Sequence, residues 1–217
     1  MIAQLSLWYH FYVLAIKVES LKKNFGERKV ISSLNLEIRQ GESVAITGPN
    51  GSGKTTLLKL LLALLRPSSG KVTYFDNDRV ISQAELRHRI SFVSPYLSLY
   101  DQLSAEENLQ FFTAVRGGNI TGKEIDSLLH RVGLEGRGMD LVSDYSTGMK
   151  QRLKYAVALS NKPDFLLIDE PSSGLDDSGK AMMIALIEEQ RSGSIIIIAT
   201  NEKEEYSLAS KQCRLDQ

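Results

Sequence analysis

The sequence predicts an α/β fold built round a mainly parallel sheet, and three observations carry that prediction. Residues 42–47 are apolar at their centre and lead into Gly48-Pro49-Asn50-Gly51-Ser52-Gly53-Lys54-Thr55-Thr56. Residues 57–65 then follow as a run of strong helix formers closed by Pro67 and Gly70. Phe165-Leu166-Leu167-Ile168 and Ile195-Ile196-Ile197-Ile198 are unbroken apolar runs, the pattern of strands buried on both faces. Between the glycine-rich loop and those runs, residues 94–160 carry apolar positions at helical spacing.

Each element can be justified in turn. Residues 1–15 form an apolar and aromatic extension that includes Trp8 and Phe11. It is shorter than the roughly 20 residues a membrane-spanning helix needs, and no basic stretch precedes it as in a signal peptide. A loosely ordered extension, a segment docked on a partner and the product of an upstream start are the readings open to it. A single domain is expected over residues 16–217. In it, residues 16–21 and 30–38 read as strands joined by a turn over 22–27, and residues 70–75 as a further strand followed by an Asp76-Asn77-Asp78 turn. A short helix is expected over 82–89 and a strand over 90–93. Ser104-Ala105-Glu106-Glu107 and Thr121-Gly122-Lys123-Glu124 are capping boxes, each opening a helix, and Ser146 begins a third that runs to Leu159. Residues 133–144 read as a loop, residues 178–191 as a helix, and the polar tail from Glu202 as a final helix.

Composition sets bounds on function. The chain has 217 residues, one domain's worth, and a formal net charge of zero, which argues against a dedicated nucleic-acid binder. The lone cysteine, Cys213, cannot form an internal disulfide and reads as an incidental exposed thiol.

The chemistry lies in the glycine loop. It fits G-x-x-x-x-G-K-[ST], the phosphate-binding pattern, in the strand–loop–helix context that pattern needs. Glycines let the backbone curl so that successive N–H groups converge, and the helix N-terminus adds partial positive charge there. Gly48, Asn50, Gly51, Ser52, Gly53, Lys54, Thr55 and Thr56 are therefore assigned to the nucleotide. Lys54 reaches the β- and γ-phosphates and the Thr55 hydroxyl binds Mg²⁺. Asp169 and Glu170 end the first apolar run, at the edge of a parallel sheet where ligands gather. Asp169 is expected to hold Mg²⁺ and Glu170 to polarise the attacking water. Neighbouring strand residues point to opposite sides, so the two acids can share one site only if the chain turns after Asp169, as Pro171 favours.

At this point the sequence resembles the ATP-binding cassette ATPases over residues 16–200. Gly48 to Thr56 matches the Walker A motif and Phe165 to Glu170 the Walker B motif. Tyr145-Ser146-Thr147-Gly148-Met149-Lys150-Gln151-Arg152 resembles the family signature LSGGQ with its basic tail, and Ser173-Gly174-Leu175-Asp176 resembles the D-loop. The resemblance implies a P-loop cassette with a mainly parallel central sheet, an antiparallel β-subdomain and a helical subdomain inserted over about 96–160. It implies ATP and Mg²⁺ as cofactors, with Phe25 stacked on adenine. It also implies a head-to-tail dimer in which Ser146 and Gly148 of one cassette contact the γ-phosphate held by the other.

The chain departs from the family pattern in three motifs. Thr147 and Met149 replace a glycine and a glutamine of the signature. Pro95 stands where a glutamine usually touches metal and water. Proline has no side-chain donor to replace it, so that role falls to Gln102 or a neighbour or goes unfilled. Asn201 stands where a switch histidine is usual, and is the second residue assigned to catalysis beside Glu170; its amide can donate one hydrogen bond but never carries charge. The function this implies is an ATP-binding, ATP-hydrolysing subunit that powers a membrane transporter, of small exporter type. Its partners would be a membrane-spanning permease and a second cassette, and its place the cytoplasmic face of the membrane. Two alternatives stay open: a soluble cassette ATPase outside transport, and a hydrolytically impaired regulatory partner. Against the first, Lys54 and Ser146 lie too close in sequence to hold the long insertions of repair-type cassettes.

Overall fold

The computed structural model describes residues 14–215. The part of the N-terminal extension before Leu14 lies outside them. Two sheets make the frame. In the antiparallel one, β1 (Leu14–Phe25) pairs on one side with β2 (Arg28–Arg39) and on the other with β4 (Ser69–Asp76), which carries the two-residue β5 (Arg79–Val80) at its edge. The expected turn over 22–27 is corrected: β1 continues to Phe25, and only Gly26 and Glu27 turn, Gly26 at φ 58°. Register shifts along β1 at Ser20, itself at φ 46°, let the strand bend and keep pairing where alternation is lost.

The second sheet is parallel throughout, in the order β6 (Ile90–Val93), β7 (Phe165–Asp169), β8 (Ile195–Ala199), β3 (Ser43–Thr47), β9 (Lys211–Arg214). Strand β9 corrects the expected final helix. After a short 3₁₀ segment, Lys203–Leu208, the tail returns to the sheet and adds an edge beside β3. Its alternation spans only four residues, and its pairing partner lies far away in sequence, so the polar composition carried no local strand signal. Cys213 on this strand is half-buried against the core, not exposed, and burial raises its thiol pKa.

The period-two geometry of β7 divides the interior. Leu166 and Ile168 face a core shared with the helices; Phe165 and Leu167 face a second core shared with the antiparallel sheet and α1 (Lys54–Leu61). Two helices, α3 (Ala105–Val115) and α4 (Gly122–Arg131), open with both reciprocal bonds of their capping boxes in place. With α5 (Thr147–Leu159) and α6 (Asp177–Arg191) they cover one side of the parallel sheet. A short α2 (Gln83–Arg89), capped by Ser82, precedes β6. Helix α1 starts three residues earlier and stops four earlier than its apolar run, because Gly53 sits at φ 101° before it and Ala63 breaks it at φ 54°.

Candidate nucleotide site and signature face

The parallel register brings the site together. Asp169 at the end of β7 is opposite Ala199 of β8, and Ala199 is opposite Ile46 of β3. The C-terminal ends of β7 and β3 thus meet at one sheet edge, although Thr55 and Asp169 are 114 residues apart in sequence. The Thr55 hydroxyl donates to Asp169 Oδ2 at 2.9 Å. Asp169 is buried, and burial raises its carboxyl pKa; the charge of Glu170 adds to the rise and the Thr55 hydrogen bond opposes it.

Glu170 resolves the problem of adjacent acids through its backbone. It sits in the left-handed region at φ 48°, its N–H donates to Ala199 O at 2.8 Å, and its carbonyl accepts from the Ser173 N–H at 3.1 Å. The chain therefore leaves the strand at Glu170, which lets this side chain face the same cleft as Thr55. A left-handed glutamate is costly and persists only where surrounding bonds over-determine it.

The loop between β3 and α1 is built by close approach. A Cβ on Gly48 would lie 2.6 Å from the Leu215 carbonyl and 2.7 Å from Ser52 Oγ; one on Gly53 would lie 2.7 Å from Val30 Cγ1. Only glycine fits at these two positions, both at positive φ. Lys54 is buried, and its ammonium donates to the Gly48 and Pro49 carbonyls at 2.8 and 3.1 Å. Ser52 Oγ is buried beside the loop without a hydrogen-bond partner, and a phosphate oxygen would supply one.

A cleft of about 530 Å³ opens over this loop. Its walls include Phe25, Asn50, Gly51, Lys54, Thr55, Thr56 and Glu170 from the sequence assignment. Phe25 is half-exposed, with the Lys23 ammonium 4.8 Å from its ring centroid. Arg28, Val30 and Tyr96 also line the cleft, and sequence reasoning missed them. The hairpin after Phe25 carried a signal for Arg28, a basic residue facing a phosphate loop. Tyr96 had none, since its direction depends on how the chain leaves β6.

The remaining assigned residues lie elsewhere. Ser146 caps α5, accepting from the Met149 N–H at 3.2 Å, and Gly148 packs over the Gly174 carbonyl, which a Cβ would meet at 3.3 Å. Neither lines the cleft of its own chain. Beside them is a second groove of about 290 Å³, walled by Pro95, Leu97, Leu99, Thr147, Gln151 and Lys154, among others. Asn201 does not line the cleft; it shares a hollow beside the glycine loop with Thr47, Gly48, Pro49 and Tyr206. Its amide donates to Asn50 Oδ1 at 3.4 Å, so it touches the cleft wall at second hand. Gln102 is exposed and does not line the cleft, so it does not stand in for the glutamine missing at Pro95.

Comparison with known proteins agrees with this geometry. The family model described as "ABC transporter" matches residues 31–173. The chain is 35% identical over 186 residues to the lantibiotic transport ATP-binding protein SrtF of Streptococcus pyogenes, covering 86% of this chain and 79% of that one. It is 33% identical over 190 residues to the daunorubicin resistance ATP-binding protein DrrA3 of Streptomyces coeruleorubidus, covering 87% of this chain and 60% of that one. It is 37% identical over 172 residues to the bacitracin transport ATP-binding protein BcrA of Bacillus licheniformis, covering 79% of this chain and 56% of that one. The chain thus spans less than two thirds of the length of some of these relatives. Among solved structures, the ATP-binding cassette MJ0796, a dimer in a post-hydrolysis state bound to ADP and Pi, superposes with a TM-score of 0.80 at 26% identity, covering 93% of this chain and 94% of that one. With the Walker A loop, the Walker B acids and the signature helix on one such frame, the chain belongs to the ABC transporter family.

Proposed function

We propose that this chain hydrolyses Mg-ATP to power a membrane transporter of exporter type. The observation that carries the reading is the Thr55–Asp169 hydrogen bond at the foot of a cleft that Lys54 and Glu170 also line. A hydroxyl and a carboxylate side by side are the hard-oxygen ligands Mg²⁺ takes, with phosphate and water oxygens completing its shell. Lys54, the loop N–H groups and Ser52 bind the phosphates, Phe25 stacks on the base, and Glu170 orients the attacking water.

Transport is supported by relatives whose names place them in drug resistance, lantibiotic transport and bacitracin transport. No helix of the described residues is long and apolar enough to cross a membrane. In this reading the path for cargo belongs to a permease, with this subunit on its cytoplasmic face. The groove beside α5 is suited to a permease loop: it pairs apolar walls with the buried Gln151 amide, whose Nε2 lacks an acceptor. A second cassette completes the site, because Ser146 and Gly148 do not line the cleft of their own chain. Transfer to nucleic acid is not part of this reading, given the zero net charge.

Lys54→Ala tests it. Removing a charge-assisted hydrogen bond to phosphate should weaken Mg-ATP binding by about 1.5–3 kcal/mol, read by calorimetric titration. Parental affinity in that variant would remove the phosphate-loop assignment.

A further inference from the structure

The family's glutamine is replaced by Pro95, and the residues around that position are held in an unusual way. Lys154, on the third turn of α5, is only 8% exposed. Its ammonium donates to the Pro95 carbonyl at 2.6 Å and to the Ser94 carbonyl at 3.3 Å. A buried cation is costly unless its donors are met, and here backbone carbonyls, not a carboxylate, meet two of them. Burial accordingly lowers the Lys154 pKa, with the Lys150 charge adding to the effect. Ser94 tightens the same elbow, since its Oγ accepts from the Tyr96 N–H at 3.2 Å and its carbonyl from the Leu97 N–H at 3.1 Å.

The elbow has two sides. Pro95 and Leu97 line the groove beside α5, with Lys154; Tyr96, between them, lines the nucleotide cleft with Thr55 and Glu170. Tyr96 is 80% exposed, so packing does not hold it at the cleft wall. What holds it is the backbone on either side, and that backbone is fastened to the signature helix by Lys154.

We propose that Lys154 is a positioning residue for ATP hydrolysis: it fixes the Ser94–Pro95 backbone and thereby presents the Tyr96 hydroxyl to the nucleotide, as the polar group that the loop lacks at position 95. The proposal rests on the cleft being the ATP site. Tyr96 is the member that touches substrate, and Lys154 acts through it. A hydroxyl that reaches the γ-phosphate from the cleft wall would stabilise charge that grows in the transition state, so its removal would appear in kcat more than in binding.

The test is a double-mutant cycle on the full chain, with its permease present where one copurifies. Tyr96→Phe removes only the hydroxyl, and Lys154→Met keeps the aliphatic stem but removes the donor. Steady-state phosphate release gives kcat and KM; titration with Mg-ATPγS gives affinity apart from turnover. Tyr96→Phe and Lys154→Met should each lower kcat about tenfold, less than the roughly 10²–10³ of a fully preorganised donor. Affinity should change less than about twofold, Lys154→Arg should recover part of the deficit, and the double variant should be no slower than the slower single one. Independent effects that multiply in the double variant would overturn the proposal, as would parental kcat in Tyr96→Phe, a variant whose exposed side chain makes misfolding no obstacle. Lys54→Ala serves as the separate control: retained binding there would indict the site itself, not the elbow.

Discussion

The nucleotide cleft and the signature face both lie at helix N-termini, yet they are built in opposite ways. The cleft is closed by bonds and packing within the chain. Lys54 bonds its own loop, Thr55 bonds Asp169, and glycines at 48 and 53 let Leu215 and Val30 press against the loop. The signature face has one capping serine and a glycine packed on Gly174, and neither Ser146 nor Gly148 lines a groove of its own chain described above. On the proposed function, the first would bind nucleotide as a monomer and the second would act only opposite another cassette. Binding and hydrolysis should therefore separate according to which region is altered.

The largest effect should come from Glu170→Gln, which keeps the side chain's shape but loses the charge proposed to orient water. Turnover should fall by about 10²–10³, the scale of one preorganised group. Mg-ATP should then hold a dimer, visible as doubled mass by light scattering. Turnover near the parental rate would move the water-orienting role to another residue.

Ser146→Ala sharpens the comparison from the other side. It removes the cap of α5, at a cost of about 1 kcal/mol in stability, read as a lower Tm. Mg-ATP affinity of the monomer should stay at the parental value while the nucleotide-dependent dimer disappears. Equal weakening of monomer affinity and dimer would show that the two regions are not separate.

Asn201 should matter less than either. Its amide reaches the cleft only through Asn50 at 3.4 Å, so Asn201→Ala should lower turnover by less than about tenfold with unchanged affinity. A deficit as great as that of Glu170→Gln would place Asn201 directly against the γ-phosphate.

The smallest effect concerns how the half of the molecule bearing the cleft is fastened. Glu85 on α2 pairs with both Arg79 and Arg89, and Arg89 in turn joins Asp76 and Asp164, tying the antiparallel sheet to the start of β7. Arg79 beside Glu85, and then Arg89, hold its carboxyl down at about 2, from 4.5. A depressed pKa stabilises the fold above pH 4.5, and that contribution fades as pH falls through about 2. Glu85→Gln should lower Tm slightly at about pH 7 and by less near pH 2, since Arg79 is exposed, Glu85 and Arg89 are only partly buried, and solvent screens the pairs. An unchanged gap across that range would show the network contributes nothing through charge.

The contrast between the regions also explains what could be read in advance. Local, contiguous signals determined the cleft's core: a glycine loop between a strand and a helix, an apolar run ending in Asp169 and Glu170, and two capping boxes whose reciprocal bonds are all formed. These depend on backbone conformation and short spacing, which a sequence states directly. The tail shows where that ends. Residues 211–214 form a strand only because β3 offers an open edge beside Val44 to Thr47, and a four-residue polar segment carries no period strong enough to announce it. Tyr96 and Lys154 show the same limit at the site. Tyr96 faces the cleft because the chain leaves β6 through an elbow, and the elbow holds because a lysine 59 positions beyond Pro95 turns its ammonium inward to two carbonyls. Local preference, periodicity and phosphate-loop chemistry were legible in the order of residues. Which side chains share a wall was decided by tertiary packing, because pairings between distant segments depend on the enclosed geometry that only the folded chain supplies.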